Sequence, residues 1–397
     1  MARNLVVCCD GTNNEVAGDA TNVLRLYRML VRDEQQVVFY DGGIGTIPNP
    51  DRITRHGRQI SLYVDGAMGR TLQRHFLNAY RFLVRHYQPG DNIWLFGFSR
   101  GAYTVRAVAA AIHMCGLLRP EDEHLSELLW TTYSREGLDS DSGPGTFFKA
   151  TRIFKKTFAV DVSGDPVTRD VPIHCVGVWD TVSAYGMFWD QRTLAHTASN
   201  PSISHVRHAM SIDEHRSMFQ PNLFRPKSAS QHKSMKQVWF AGVHSDVGGG
   251  YPEFSKSQPP VLEAALSKVS LEWMLGEVTA LDCPLRIDET KRKHLMNNME
   301  DHPPANSIGP QHESLTWGWT PFEFIPQRRY SDKSGRLAWQ WPNWFRRRDL
   351  SAAQDAQEQP VVPVIHRSVV ERMNDTALKY KPLNLPDQYL IEETARP

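Results

Sequence analysis

Three things are scarce in this chain, and each absence narrows what it does. Charge imbalance is the first: 45 Lys and Arg against 44 Asp and Glu leave a formal net charge of +1 over 397 residues, so no global field draws the protein to nucleic acid. Cysteine is the second. Five residues, odd in number and spread along the chain without metal-type spacing, argue against a disulfide framework or a zinc cluster and suit a reducing compartment. The third is long apolar runs. No segment approaches the roughly eighteen unbroken apolar residues of a membrane span, and the first run, from Leu5, is too short for a signal-peptide core. The expectation is a protein made in the cytoplasm, with any export going by a route that needs no cleavable signal. No internal repeat or tandem domain is evident.

What is present is an alternation of strand-like and helix-like segments. Leu5-Val6-Val7-Cys8-Cys9 is a continuous apolar run ending in Asp10-Gly11-Thr12-Asn13-Asn14, the pattern of a fully buried strand entering a turn. Residues 22–29 read as a helix, Val37-Val38-Phe39-Tyr40 as a second strand, and 46–66 as a loop at the sheet edge. Leu72, Phe76, Leu77, Tyr80, Leu83 and Val84 recur at helical spacing across 71–87. Later strand-like runs end at Trp179 and Val243, and a helix is expected over 262–276. This predicts an α/β fold, a mostly parallel sheet with helices on both faces, plus insertions. The expectation is one domain over 1–397. Its insertion at 116–170 is either a lid or an ordinary surface excursion, and its 283–360 region is irregular and rich in Trp and Arg.

The central motif is Gly97-Phe98-Ser99-Arg100-Gly101, preceded by the apolar run Ile93-Trp94-Leu95-Phe96 and followed by an Ala/Val-rich helical segment. That is a nucleophile elbow: a serine in a strained strand-to-helix turn, with Gly97 and Gly101 letting strand and helix approach. Two other runs end in Asp180 and His244. The carboxyl ends of parallel strands share one edge of the sheet, where ligands bind, so the three residues can meet there. The order nucleophile, acid, histidine is that of α/β-hydrolases. A serine hydroxyl needs an imidazole to take its proton and a carboxylate to orient that imidazole. Ser99 is therefore the candidate nucleophile, His244 the base and Asp180 the orienting acid.

Rivals exist for two of these roles. His366 also comes late enough to serve as base, and Asp246, Asp190 and Asp213 are alternative carboxylates, with Asp246 better read as holding the glycine-rich loop that presents His244. His174 reads as a packed core histidine. The oxyanion hole needs two backbone N–H groups: Arg100 supplies one, and Gly11 or Thr12 the other. No cofactor and no metal are called for. Asp10 with Asp246 could hold a cation between two turns, but the spacing does not demand it.

Five stretches carry a resemblance: Cys9 to Asn14, Tyr40-Asp41-Gly42-Gly43-Ile44-Gly45-Thr46, Gly90 through Tyr103, Gly177-Val178-Trp179-Asp180-Thr181-Val182, and Phe240 through Tyr251. Together they resemble the catalytic domain of type VI secretion phospholipase effectors of the first lipase class, a domain also found in many uncharacterised standalone proteins. The match is dense from Asn4 to about Tyr251 and thinner beyond, where Ile365 to Arg372 and Tyr380 to Pro386 look like closing motifs. The resemblance implies an esterase acting on phospholipid acyl chains, with Ser99, Asp180 and His244 on the triad motifs. For a secreted effector it also implies a secretion-system carrier and an inhibitory immunity protein. One departure is His215, where relatives tend to carry a second Arg.

Three functional readings follow: a phospholipase A-type serine esterase, an esterase on soluble or glycan-linked esters, and a non-catalytic interaction module on a hydrolase scaffold. Trp339-Gln340-Trp341-Pro342-Asn343-Trp344-Phe345-Arg346-Arg347-Arg348 bears on the substrate. Its indoles and arginines would contact a membrane surface, or else the Trp residues pack on the body and the Arg run is solvated.

Overall fold

The computed structural model describes residues 2–11, 20–43, 68–134, 143–162, 169–182, 185–187, 190–191, 193–225, 231–255, 262–297, 302, 304–317, 319–331, 336–340, 347–350 and 361–393. In chain order the elements are β1 (Asn4–Cys9), α1 (Asn22–Met29), β2 (Gln36–Asp41), α2 (Met68–His86), β3 (Asn92–Phe98), α3 (Arg100–Cys115), α4 (Ser126–Ser134) and α5 (Gly143–Phe158). They continue with β4 (Ile173–Trp179), β5 (Gly186–Met187), β6 (Asp190–Gln191), β7 (Ile203–Ser211), β8 (Ser234–Phe240), α6 (His244–Gly248), α7 (Ala265–Thr279) and α8 (Glu289–Asn297). Last come β9 (Gln327–Ser331), β10 (Arg336–Gln340), β11 (Val364–His366), α9 (Arg367–Asn374) and β12 (Leu390–Glu392).

Eight strands form one sheet in the order β12-β11-β8-β7-β4-β3-β1-β2, and every neighbouring pair runs parallel. Buried apolar runs produce this arrangement. Leu5, Val7 and Cys9 of β1 face one core, with Leu95 of β3 and the inner faces of α2, α3, α4 and α5. Val6 and Cys8 face the other, with Trp94, Phe96, α1 and α7. A strand covered on both sides tends to be a nearly continuous apolar run, as Leu5–Cys9 and Ile93–Phe98 are. Each such Leu, Val or Ile contributes about 1.5–3 kcal/mol of burial. The chain passes from β1 to β2 on one side, then crosses to β3 on the other, so the strand order reverses between β1 and β3. The carboxyl ends there are the expected place for a ligand, and Cys9–Asp10 and Ser99 occupy them.

Two segments differ from the sequence expectation. Strand β7 is central, yet His205, Arg207 and His208 interrupt its apolar character. Inside the fold Arg207 Nε donates to Glu277 Oε2 of α7 (2.6 Å) and His208 Nδ1 lies 3.3 Å from Gln237 Oε1, so these two residues are met by neighbours. Within 283–360, expected to be irregular, lie α8 and the strands β9 and β10, which pair antiparallel and join β6 and β5 in a separate four-stranded sheet. In the 116–170 excursion Leu129, Trp130, Tyr133 and Phe154 are buried in the same core as α2 and α3. The loop expected at 46–66 lies outside the described residues. Among the described residues, no helix is long and apolar enough to cross a membrane.

Candidate active site

Ser99 forms the turn between β3 and α3, at φ 56° and ψ −122°. Such backbone costs on the order of 1–3 kcal/mol and persists only where the surroundings hold it. Here Ser99 N–H donates to Trp179 O (3.0 Å), and Ser99 O accepts from Val182 N–H and Tyr103 N–H (3.4 Å each). The serine turn is thereby tied to the turn that follows β4. Both flanking glycines are required by contact. A Cβ on Gly97 would lie 2.6 Å from the backbone of Ala102, and one on Gly101 would overlap the carbonyl oxygens of Cys9 and Asp10. The Ser99 side chain does not cap the helix it begins, which removes the plainest structural explanation for a serine there.

Asp180 occupies the second turn, also in the left-handed region at φ 38°. Its side chain is fully buried and accepts five hydrogen bonds. His244 Nδ1 lies 2.5 Å from Oδ2. Arg348 donates from Nη1 to Oδ1 (2.6 Å) and from Nη2 to Oδ2 (3.0 Å). Ser211 donates its N–H to Oδ1 (3.0 Å) and its hydroxyl to Oδ2 (3.1 Å). Burial pushes this carboxyl up, but the Arg348 guanidinium and the His244 contact override it and hold it well below the usual carboxylate range. Asp180 is therefore an anion. An ionised carboxylate only accepts, so His244 Nδ1 carries the proton and Nε2 presents a lone pair.

The His244 ring is set by its neighbours. It begins α6, and its N–H donates to Glu214 Oε2 (3.2 Å). Phe98 and Phe219 flank the imidazole with centroids at 4.6 and 5.0 Å. Phe98 immediately precedes Ser99, so the same strand end that presents the serine packs on the histidine. Burial lowers the His244 pKa below its ordinary value, against the opposing pull of Asp180, and the ring is neutral at pH 7. Glu214 is held ionised in turn: burial raises it, but Arg216, bound through Nε (2.9 Å) and Nη2 (2.8 Å), brings it down to about 2.

The rival residues are occupied elsewhere. His366 caps α9, with Nδ1 accepting from Ser368 N–H (3.2 Å), and stacks on Phe240 at 4.7 Å. Asp213 binds Gly242 N–H (2.8 Å), Tyr380 OH (2.7 Å) and Arg347 Nη1 (3.0 Å). Asp246 accepts from Val243 N–H (3.0 Å) and pairs with His312 Nδ1 (2.6 Å), bracing the loop before His244. Asp190 lies in the small sheet. Asp10 binds Thr21 Oγ1 (2.6 Å) and Tyr40 OH (2.7 Å), while Asp246 is engaged by His312, so each carboxylate has its own partners. The Asp10 turn does abut α3 through Gly101, as an oxyanion donor there requires, but Gly11 N–H donates to Asp10 Oδ1 (2.7 Å). Thr12 lies outside the described residues. Arg100 follows Ser99 as the first residue of α3.

Sequence reasoning missed Arg348, Ser211, Glu214 and Phe219. Arg348 is the clearest correction: neither solvated nor at a lipid surface, it is fully buried and grips Asp180, with Nη2 also donating to Phe219 O. Arg347 pairs with Asp213. Trp341, Trp344 and Arg346 lie outside the described residues, and Trp339 is exposed.

A parallel α/β sheet with a strained serine and a buried Asp–His pair at one edge defines the general class. The chain belongs to the family of type VI secretion (T6SS) Tle1-like phospholipase effector catalytic domains, whose profile matches residues 3–277. Membership supports a lipase or phospholipase activity in general terms. An uncharacterized protein of Saccharomyces cerevisiae is 32% identical over 235 residues, 56% of this chain and 33% of the relative. A crystal structure of an uncharacterized protein from Pseudomonas aeruginosa aligns with a TM-score of 0.42 at 17% identity, over 73% of this chain and 47% of that one. The Tle1 effector bound to the VgrG spike of the Type 6 secretion system aligns with a TM-score of 0.33 at 16% identity, over 63% and 52%. The chain thus spans about a third of the yeast relative and about half of each of these structures.

Proposed function

We propose that this protein is a phospholipase A-type serine esterase in which Ser99, His244 and Asp180 act as a triad. The observation that carries the reading is the 2.5 Å contact of His244 Nδ1 with a buried, ionised Asp180, beside the backbone-strained turn that presents Ser99. Ser99 Oγ attacks the acyl carbonyl while His244 Nε2 takes its proton, and Asp180 stabilises the imidazolium that forms. The oxyanion is met by the backbone N–H of Arg100 at the start of α3 and by that of Gly11 or Thr12. His244 then returns the proton to the leaving alcohol, and a water activated by the same imidazole hydrolyses the acyl-enzyme. An effector family also brings a secretion-system carrier and an inhibitory immunity protein as expected partners.

Labelling by a fluorophosphonate probe, with turnover of p-nitrophenyl esters, tests the chemistry. Wild type should label and turn over; Ser99→Ala should lose roughly 10⁴-fold or more of kcat, by analogy with triad removals. Equal activity in both refutes the triad. Phospholipid vesicles against short-chain soluble esters test the substrate: faster turnover at the interface supports a lipase, and a preference for soluble esters moves the reading to a general esterase.

A further inference from the structure

At the opposite end of the sheet from Ser99, three potential metal ligands converge from separate parts of the chain. His174 is the second residue of β4, His205 the third of β7, and Asp282 follows α7. His174 Nε2 and His205 Nε2 lie 3.7 and 3.6 Å from the same oxygen, Asp282 Oδ1, and the three ligand atoms lie within 4.8 Å of one another. Those separations are too long for hydrogen bonds. They are close to the roughly 3.3–3.5 Å between two donors sharing a tetrahedral ion at Zn–N and Zn–O bond lengths.

The two imidazoles supply the second observation. Each residue is more than nine-tenths buried, and among the described residues neither Nε2 has a hydrogen-bond partner. A buried nitrogen left so costs on the order of 1–3 kcal/mol; two aimed at one carboxylate oxygen form a convergent donor set.

The backbone is shaped for this convergence. Against β3 the register jumps from Ile93↔Ile173 to Trp94↔Cys175, which makes His174 the extra residue of a bulge. Bulges re-aim side chains, and this one brings the His174 ring against Trp94 (4.7 Å) and beside His205 (5.2 Å). His205 is oriented by Ser234, whose Oγ lies 2.8 Å from Nδ1. If Nδ1 donates there, Nε2 is left as the acceptor, the outer-shell arrangement of metal-bound histidines. The Asp282 turn is anchored by Leu285 N–H to Val278 O (3.2 Å). Lys233 Nζ, 3.5 Å from Asp282 Oδ2, is largely exposed and can swing into solvent when a cation arrives.

We propose that His174, His205 and Asp282 bind a divalent transition ion of the Zn²⁺ class, with water completing the shell. Two imidazoles and one carboxylate favour such an ion over Mg²⁺ or Ca²⁺. Along β4 the site lies roughly 20 Å from Asp180, at about 3.3 Å per residue. Its role is structural, fastening the amino ends of β4 and β7 to the segment after α7, and it is independent of the esterase reading.

The test is Zn²⁺ titration by calorimetry of the full chain, first stripped with chelator, alongside Asp282→Asn and His205→Gln. Asp282 is exposed, so its variant should fold, which circular dichroism checks. The difference between proteins is decisive, because other histidines can bind Zn²⁺ weakly. Wild type should take up one more equivalent than either variant, and Zn²⁺ should raise its Tm by an increment that Asp282→Asn lacks. Co²⁺ should give visible bands of a nitrogen and oxygen site. Identical stoichiometry and affinity in wild type and Asp282→Asn would overturn the proposal. So would a cobalt spectrum showing thiolate ligation, or displacement of Zn²⁺ by equimolar Mg²⁺.

Discussion

Replacing Arg348 by Met keeps much of its length and apolar stem but removes the guanidinium. Asp180 then loses two of the five hydrogen bonds described above and the bidentate guanidinium that makes them, while staying fully buried. Breaking a buried pair by deleting one partner costs about 3–5 kcal/mol, because the remaining charge is uncompensated. Urea unfolding at pH 7 should show a loss of that size. The pH dependence follows from the depressed Asp180 pKa. Stability from an ionised, paired carboxylate is present above the unfolded-state value, about 3.9, and is lost as pH falls through the folded value. The gap between wild type and Arg348→Met should therefore be widest near neutrality and narrow below about pH 4. A catalytic signature accompanies it. With the competing cation gone, the Asp180 anion favours the His244 imidazolium more strongly and raises the pKa of the base, so the acid limb of kcat/KM moves to higher pH. Arg348→Lys keeps a charge without the fork and should fall between the two. A stability change under about 1 kcal/mol with an unmoved acid limb would show that Arg348 is not what holds Asp180.

Two further substitutions probe the geometry. Gly101→Ala places a methyl into the Cys9 and Asp10 carbonyls and should cost at least about 1–3 kcal/mol of overpacking, with turnover falling more than stability because the Ser99 turn shifts; thermal melts and ester hydrolysis on the same preparation measure both. His366→Asn retains a capping side chain at α9, so roughly 1 kcal/mol or less should be lost with turnover nearly intact, whereas His244→Asn should fall to the level of Ser99→Ala. A reversed outcome would exchange the roles of the two histidines.

The fold was legible where side chains are apolar on both faces. β1, β3, β4 and the inner half of β8 declare themselves as runs such as Leu5 to Cys9, and the glycines around Ser99 mark a contact that the structure bears out. β7 was not legible, because Arg207 and His208 look solvent-facing until Glu277 and Gln237, far away in the chain, are placed beside them. The same long-range pairing hid Arg348. It stands in a run of three arginines, where composition suggests solvent or phosphate, and only the folded chain shows its buried partner. Of the site residues, Ser99, Asp180 and His244 could be named because each ends a strand-like run. Glu214 and Ser211 act through geometry that no local pattern encodes.

Arg348 also lies well beyond residue 277, where the match to the family profile stops. A fragment trimmed to that boundary would keep Ser99, Asp180 and His244 yet leave a carboxylate sealed in the interior without its counter-charge. The same dependence applies in time. A chain emerging from the ribosome has made Ser99, Asp180 and His244 long before the guanidinium that neutralises Asp180, so the buried Asp180–His244 pair gains its counter-charge only when the C-terminal segment is complete.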